Sequence, residues 1–278
     1  MSKYSAFFKR SIDQKEAFWT EQARLIHWHK QPEKILDDSK LPFVRWFVGG
    51  QTNTCYNAVD RHLDTRGDQL AYVWISTEVN KSGTMTYREL HAAVNRYAAA
   101  LKSTGLTTGD RVIIYLPMIM EAAVVMLACQ RLGIIHSVVF GGFAPHNVAQ
   151  RIDDAKPKAI ITADGGMRGG KPVPYKPAVD AAVAAAKHKV DHVLYVNRGL
   201  DPKMPLTPGR DIDLPAHAAK QQGAKVDPVW VDSAHPSYIL YTSGTTGAPK
   251  GVQRDTGGHA VALTASVGHV FGGKPGET

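Results

Sequence analysis

The chain has 278 residues, with 33 Lys+Arg against 25 Asp+Glu for a formal balance of +8, and is 44% apolar and 21% charged. That composition is too apolar for a disordered chain, and the length suffices for a core without covalent staples, in one large domain or two smaller ones. Two cysteines, Cys55 and Cys129, exclude a disulfide scaffold and a cysteine metal cluster and point to a reducing, cytoplasmic setting.

Residues 1 to 60 are aromatic-rich and irregular: Phe18, Trp19, Trp28, Trp46 and Phe47 stand among Pro32, Pro42 and Gly49-Gly50. This predicts a lead-in helix and then a segment draped over a larger body. Neither a signal peptide nor a membrane span is expected, since the longest apolar block, Ala122 to Cys129, is far short of the ~20 residues a bilayer requires. Leu70 to Thr77 and Thr84 to Tyr87 read as strands around a turn at Asn80-Lys81-Ser82-Gly83. Leu90, Val94, Ala98 and Leu101 give a helical period over 87–103, ended by Gly105.

From Arg111 the pattern becomes regular. Strands are predicted at 111–116, 134–140, 159–163, 193–196 and 238–241. Helices are predicted at 117–132, 145–155, 177–188 and about 258–271. Residues 201–228, rich in Pro, Gly and Lys, read as a loop. Strands apolar on both faces alternating with helices imply an α/β fold, a parallel sheet with covering helices. Ligands of such sheets sit at the carboxyl ends of the strands, so the loops there are the place to look for chemistry.

Three of those loops suit phosphate. Tyr241-Thr-Ser-Gly-Thr-Thr-Gly-Ala-Pro-Lys-Gly251 sets hydroxyls, glycines and one lysine directly after a strand. Glycine lets backbone N–H groups approach an anion, the hydroxyls of Thr242, Ser243, Thr245 and Thr246 donate, and Lys250 supplies charge. A Walker A loop is excluded, because Pro249 precedes Lys250 and Gly251 follows it. Gly165-Gly-Met-Arg-Gly-Gly170-Lys171 fits G-x-x-x-x-G-K, yet Pro172 replaces the required hydroxyl. It remains a glycine-flexed loop presenting Arg168 and Lys171, either to a phosphate or simply to solvent. The third, Phe140-Gly-Gly-Phe143, is by itself no more than a tight strand-to-helix turn. The +8 balance could suggest nucleic acid, but the basic residues are scattered and no nucleic-acid motif is present. Small phosphorylated molecules are the expected partners.

These residues carry a family resemblance. Thr242-Ser-Gly-Thr-Thr-Gly-Ala-Pro-Lys-Gly251 resembles the phosphate loop of adenylate-forming enzymes. Tyr115-Leu-Pro-Met118, Ile135 to Phe143, Arg151-Ile-Asp-Asp154, Ile161-Thr-Ala-Asp164 and Arg168-Gly-Gly-Lys171 resemble the acetyl- and propionyl-CoA synthetase branch. Trp46 to Gly50, Asn57 to Arg61 and Gly251 to Gly258 are closer to its propionyl-CoA side, with an acetyl-CoA synthetase as the alternative. The resemblance implies residues 1–60 as the N-terminal segment of these synthetases and 61–278 as the first part of their AMP-binding domain. It implies an AMP-forming ligase that joins propionate to coenzyme A through an acyl-adenylate, with ATP and Mg²⁺ as co-reactants. Thr242, Ser243, Gly244, Thr245, Thr246, Gly247 and Lys250 would hold the ATP phosphates, Lys250 being the catalytic candidate. Phe140, Gly141, Gly142, Arg168 and Lys171 would face coenzyme A; no residue is expected to ligate a metal.

Three positions depart from the family pattern: Ala248 where many relatives have Lys, Ala144 where Ser usually caps the next helix, and His259 where an aromatic is usual. The family also implies an aromatic-x-x-Thr-Glu motif, an acyl pocket, a hinge and a mobile C-terminal domain, none of which can be placed in these residues. The sequence is therefore expected to be the N-terminal portion of a larger synthetase, inactive in isolation, with nucleotide or coenzyme A binding as its remaining capacity. Trp74-Ile-Ser-Thr-Glu78 matches that motif only by coincidence, since it precedes the phosphate loop. His27 and His29 are expected at the surface, His136 and Cys129 in the core, and Asp153-Asp154 facing solvent or capping a neighbour.

Overall fold

Strands buried on both faces need helices above and below them, and five short apolar runs supply the centre of such a sheet. The computed structural model describes residues 3–76, 78–242 and 249–274. The strands of the central sheet are β1 (Arg111–Tyr115), β2 (Ile135–Val138), β3 (Ala159–Ala163), β4 (His192–Val196), β5 (Asp211–Asp213), β6 (Pro236–Thr242) and β7 (Lys250–Asp255). They lie in the order β5-β4-β3-β1-β2-β6-β7. All neighbours pair in parallel except β6 and β7, which are antiparallel.

The covering helices are α1 (Tyr87–Ser103), α2 (Met120–Leu132), α3 (Pro145–Ala155), α4 (Lys176–Ala185), α5 (Leu214–Ala219) and α6 (Thr256–His269). Alternation along β1 sorts them. Val112 and Ile114 join one cluster with Leu90, Val94 and Leu101 of α1, Val125 and Cys129 of α2, and Leu214 of α5. Ile113 and Tyr115 join the opposite cluster with Val148 and Ile152 of α3 and Val179 and Ala182 of α4. The helices after β1 and β3 thus leave toward opposite faces from adjacent strands. A crevice opens between the carboxyl ends of two such strands.

Local signals fix several ends. Thr86 and Glu89 form a reciprocal capping box at the start of α1. Ala144 offers α3 no side-chain cap, leaving Pro145 in its first turn to set the backbone. The N-terminal segment drapes as expected, burying Ala23, Ile26, Trp28 and Phe47 against Ala260 and Val261 of α6. Asn53 ties it to the body, its amide donating to the carbonyls of Gln130 and Val229 at 2.9 Å each.

The structure corrects four sequence readings. The sheet is not wholly parallel, because residues 250–255, read as loop, return as the antiparallel strand β7. Residues 201–228 include β5 and α5, with the Asp213 carboxylate capping α5 through Ala216 N–H at 2.9 Å. The loop at Arg168 is a hairpin of two four-residue strands, Gly165–Arg168 and Lys171–Pro174. Finally, the turn near 80 falls earlier: Asn80 is left-handed at φ 50° and Lys81 already pairs with Ser76.

Candidate functional site

The carboxyl ends of β1, β2, β3 and β6 share one edge of the sheet, and Thr242, the Phe140 turn and the Arg168 hairpin follow them there. β6 pairs with β2 through Tyr238 and His136, so Thr242 leaves the sheet on the same edge as Phe140. Across β6 and β7, Thr242 pairs with Lys250. The antiparallel pairing returns Lys250 to the point where Thr242 departs, so both flank one mouth. Ser243, Gly244, Thr245, Thr246, Gly247 and Ala248 lie outside the described residues.

Beside this mouth, Arg151 of α3 is buried with its guanidinium 4.8 Å from the Phe143 ring centre and 5.1 Å from that of Tyr241. It joins the turn after β2 to the strand that leads into the phosphate loop, and cation–π contacts of this kind gain when desolvated. Tyr241 donates its hydroxyl to Asp154 at 2.6 Å, and burial, then that bond, pushes its pKa up. Asp153 accepts from the N–H groups of Lys187 and His188 at 2.7 and 2.9 Å, so the acidic pair splits between a ring hydroxyl and a chain cap.

The turn after β2 presents Phe140, 69% exposed, with its ring edge-on to Phe143 at 5.9 Å. Gly141 and Gly142 follow. Tyr115, at the end of β1, donates to the carbonyls of Gly141 and Phe143 at 3.2 and 3.0 Å. After β3, the hairpin carries Arg168 and Lys171 as directly paired residues. Both glycines between them have positive φ, 56° at Gly169 and 76° at Gly170, the signature of the tight turn that suits strand twist. Both cations therefore flank one turn on the exposed tip.

Asp164 anchors that region. It is fully buried, and its carboxylate accepts from the N–H groups of Gly165 at 2.7 Å, Arg198 at 3.1 Å, Leu200 at 2.7 Å and Asp201 at 3.2 Å. Arg198 spans to the Gly165 carbonyl at 3.1 Å and to Glu78 at 3.2 Å, so Glu78 serves as an ion-pair partner. Below the hairpin, Lys176 is fully buried between Asp211 at 2.7 Å and Asp180 at 2.8 Å; Arg210 reaches both carboxylates at 2.6 Å. Burial alone would raise the Asp211 carboxyl, but hydrogen bonds from Arg210 and Lys176 outweigh it and hold it below its ordinary range.

Sequence reasoning missed Tyr175, Asp164, Arg151 and Tyr115 as builders of the site. The last three stand inside motifs quoted for the resemblance, which gave them no role; Tyr175 carries no local signal. The remaining readings resolve simply. His136 is buried and stays neutral, its pKa pushed by burial down to about 4. Burial likewise pushes the Cys129 thiol up to about 12. His29 stacks on Trp230 at 4.7 Å and His27 lies against Tyr56 at 4.7 Å. His259 sets its ring edge-on to Tyr238 at 4.9 Å. Among the described residues, no cluster of three or more His, Cys, Asp or Glu side chains could hold a metal, and no helix is long and apolar enough to cross a membrane.

The largely parallel sheet, with Thr242 and Lys250 meeting at one edge and an antiparallel strand at its end, is an α/β architecture of the kind that binds ligands at the carboxyl ends of its strands. The model of the AMP-binding enzyme family matches residues 59–278, and a model described as the acetyl-coenzyme A synthetase N-terminus matches residues 4–58. The chain belongs to the AMP-binding enzyme family. It is 54% identical over 273 residues to propionate–CoA ligase of Salmonella typhimurium, covering 98% of this chain and 43% of that protein. It is 46% identical over 277 residues to the mitochondrial acyl-CoA synthetase short-chain family member 3 of Homo sapiens, covering 99% and 40% respectively. Acetoacetyl-CoA synthetase from Streptomyces lividans matches in structure with a TM-score of 0.89 at 27% identity, over 100% of this chain and 42% of that one. The chain thus spans less than half the length of these relatives.

Proposed function

We propose that this chain supplies the ATP-phosphate and coenzyme A-facing parts of an AMP-forming ligase for a short-chain carboxylate, with propionate as the acid. In the first step a carboxylate oxygen attacks the α-phosphorus of ATP, the bond to pyrophosphate breaks, and an acyl-adenylate forms. In the second, the thiol of coenzyme A attacks the acyl carbon, loses its proton and displaces AMP. The protein's task in the first step is to hold an anionic triphosphate while charge moves onto the leaving pyrophosphate, which fixed hydroxyls, backbone N–H groups and a lysine can do. In this reading Thr242 to Gly247 and Lys250 hold the phosphates. Arg168 and Lys171 take the phosphorylated adenosine end of coenzyme A, and Phe140, Gly141 and Gly142 line the cleft.

The single observation that carries the reading is the shared edge: the Thr242/Lys250 mouth, the Phe140 turn and the Arg168 hairpin all end strands that run in parallel. Neither Thr242 nor Lys250 nor any residue between them is a carboxylate, and Asp154 nearby is occupied by the Tyr241 hydroxyl. The loop itself therefore supplies no carboxylate ligand for a metal, and Mg²⁺ accompanies ATP as a co-reactant. Residues 1–60 serve as the bracing segment and 61–278 as the nucleotide-binding part, and the setting is cytoplasmic, with small molecules as partners.

Titration calorimetry of the 278-residue chain with ATP–Mg²⁺ and with coenzyme A tests this, alongside pyrophosphate release with propionate. Binding of both ligands, lost separately in Lys250→Ala and Arg168→Ala, is the expected result. A chain that binds neither, or products of ADP and phosphate, would overturn it.

A further inference from the structure

We propose that Tyr175 is a positioning residue that locks the Phe140–Phe143 turn and the Arg168 hairpin into one unit, and so sets the affinity of that surface for the phosphorylated end of coenzyme A. The ligand in this statement rests on the reading of the site above; the locking does not.

The two elements come from different strands, each with its own anchors, Tyr115 for the turn and Asp164 and Arg198 for the hairpin. The hairpin has two strands of four residues, and a two-stranded hairpin is marginal in water without something to pack on. Tyr175 fills the space between both backbones. A Cβ placed on Gly141 would lie 2.4 Å from Cε2 and 2.6 Å from the hydroxyl of Tyr175, and one placed on Gly166 would lie 2.9 Å from its Cζ. Glycine at both positions lets one ring touch the turn and the hairpin at once.

The ring is held from several sides. Its own N–H donates to the Asp164 carbonyl at 3.0 Å. The Tyr115 ring lies 5.2 Å away, and the Tyr115 hydroxyl grips the same turn through Gly141 and Phe143. The next residue, Lys176, is fixed in the buried charge network. Burial, then Glu78, raises the Tyr175 hydroxyl's pKa, and Arg198 and Arg168 oppose them. Arg168 and Lys171 are long, exposed side chains, so the position of their backbone decides where their charges can meet a phosphate. An offset of about 1 Å is enough to spoil such a contact.

The test compares the wild-type chain with Tyr175→Phe and Tyr175→Ala, with Tyr175→Leu in place of the alanine variant if that one does not fold. Hydrogen exchange without ligand reads the locking: Tyr175→Ala is expected to speed exchange at 140–143 and at 165–174 together while leaving 111–115 and 192–196 protected. Faster exchange confined to the hairpin, or none, overturns the proposal. Calorimetry reads the consequence. Tyr175→Ala is expected to weaken coenzyme A binding at least tenfold and ATP binding less than twofold, with Tyr175→Phe restoring both to within twofold of wild type. Equal weakening of both ligands, or of neither, overturns the ligand part. A wild-type chain that binds no coenzyme A while showing coupled exchange supports the locking and instead overturns the site reading.

Discussion

Replacing Lys176 by Met removes a fully buried cation and leaves a similar volume of side chain behind. The amine holds Asp211 at 2.7 Å and Asp180 at 2.8 Å, and it also donates to the Pro205 carbonyl at 3.3 Å. In the variant Arg210 is the one cation left to both carboxylates, helped at Asp211 by the Thr207 N–H at 2.8 Å. Asp180 keeps some access to water, but Asp211, whose side chain is 1% exposed, does not. Breaking one partner of a buried pair costs about 3–5 kcal/mol because the stranded charge stays desolvated. At ~2–4 °C per kcal/mol for a domain of this size, Lys176→Met should melt roughly 6–20 °C below wild type in a calorimetric scan. The sign of the pH effect follows from Asp211. Its folded pKa is lowered, so its contribution is present above the ordinary carboxylate range and is lost as pH falls through the folded value. The gap between wild type and variant should be constant only above the raised pKa of the stranded Asp211 in the variant, and should close as pH falls below it. A variant that melts within ~1 °C of wild type at pH 7 would show that Arg210 and the Thr207 N–H satisfy both acids, and would refute the argument.

Other outcomes follow from single contacts. Gly141→Ala drives a methyl into the Tyr175 ring, so it should cost about 1–3 kcal/mol by overpacking, and Tyr175→Ala should relieve part of that cost in the double variant, read by denaturant titration. His136 has its folded pKa at about 4, below the ordinary ~6.5, so the stability it gives is complete above pH ~6.5 and falls as pH drops toward 4, by ~3 kcal/mol in all. His136→Gln should flatten that part of the pH profile, and an unchanged profile would count against the burial of a neutral ring. In binding assays, Lys250→Ala should weaken ATP and spare coenzyme A, while Arg168→Ala should do the reverse.

Much of the architecture was written locally. Runs such as Val112-Ile113-Ile114 are apolar on both faces and admit little besides an interior strand, and the Thr86/Glu89 pair marks the start of α1 without help from the rest of the chain. β7 was illegible for the opposite reason. Lys250–Asp255 is exposed along most of its length and mixes Gly, Gln and Arg, so its extended shape comes from pairing with β6 and not from its own pattern. Asp211–Asp213 is three residues long with two acids, and parallel pairing to β4 together with Lys176 makes a strand of it. Within the candidate site, ordered glycines, hydroxyls and cations point to phosphate from the sequence alone. The ring of Tyr175 was invisible because its meaning lies in Gly141 and Gly166, which belong to other loops.

The aromatic N-terminal segment has a consequence for how the chain is made. Trp28 and Phe47 close their cluster against Ala260 and Val261, over two hundred residues further along the chain. The Ser233 hydroxyl bonds the Trp46 carbonyl across a similar span. At ribosomal speeds of about 5–20 residues per second, the segment waits roughly 10–40 s for its partner to emerge. During that interval Trp19, Trp28 and Trp46 are bare to the solvent. This segment, made before the sheet it braces, is therefore among the last parts to settle, and it is a stretch that a chaperone holding the nascent chain would meet.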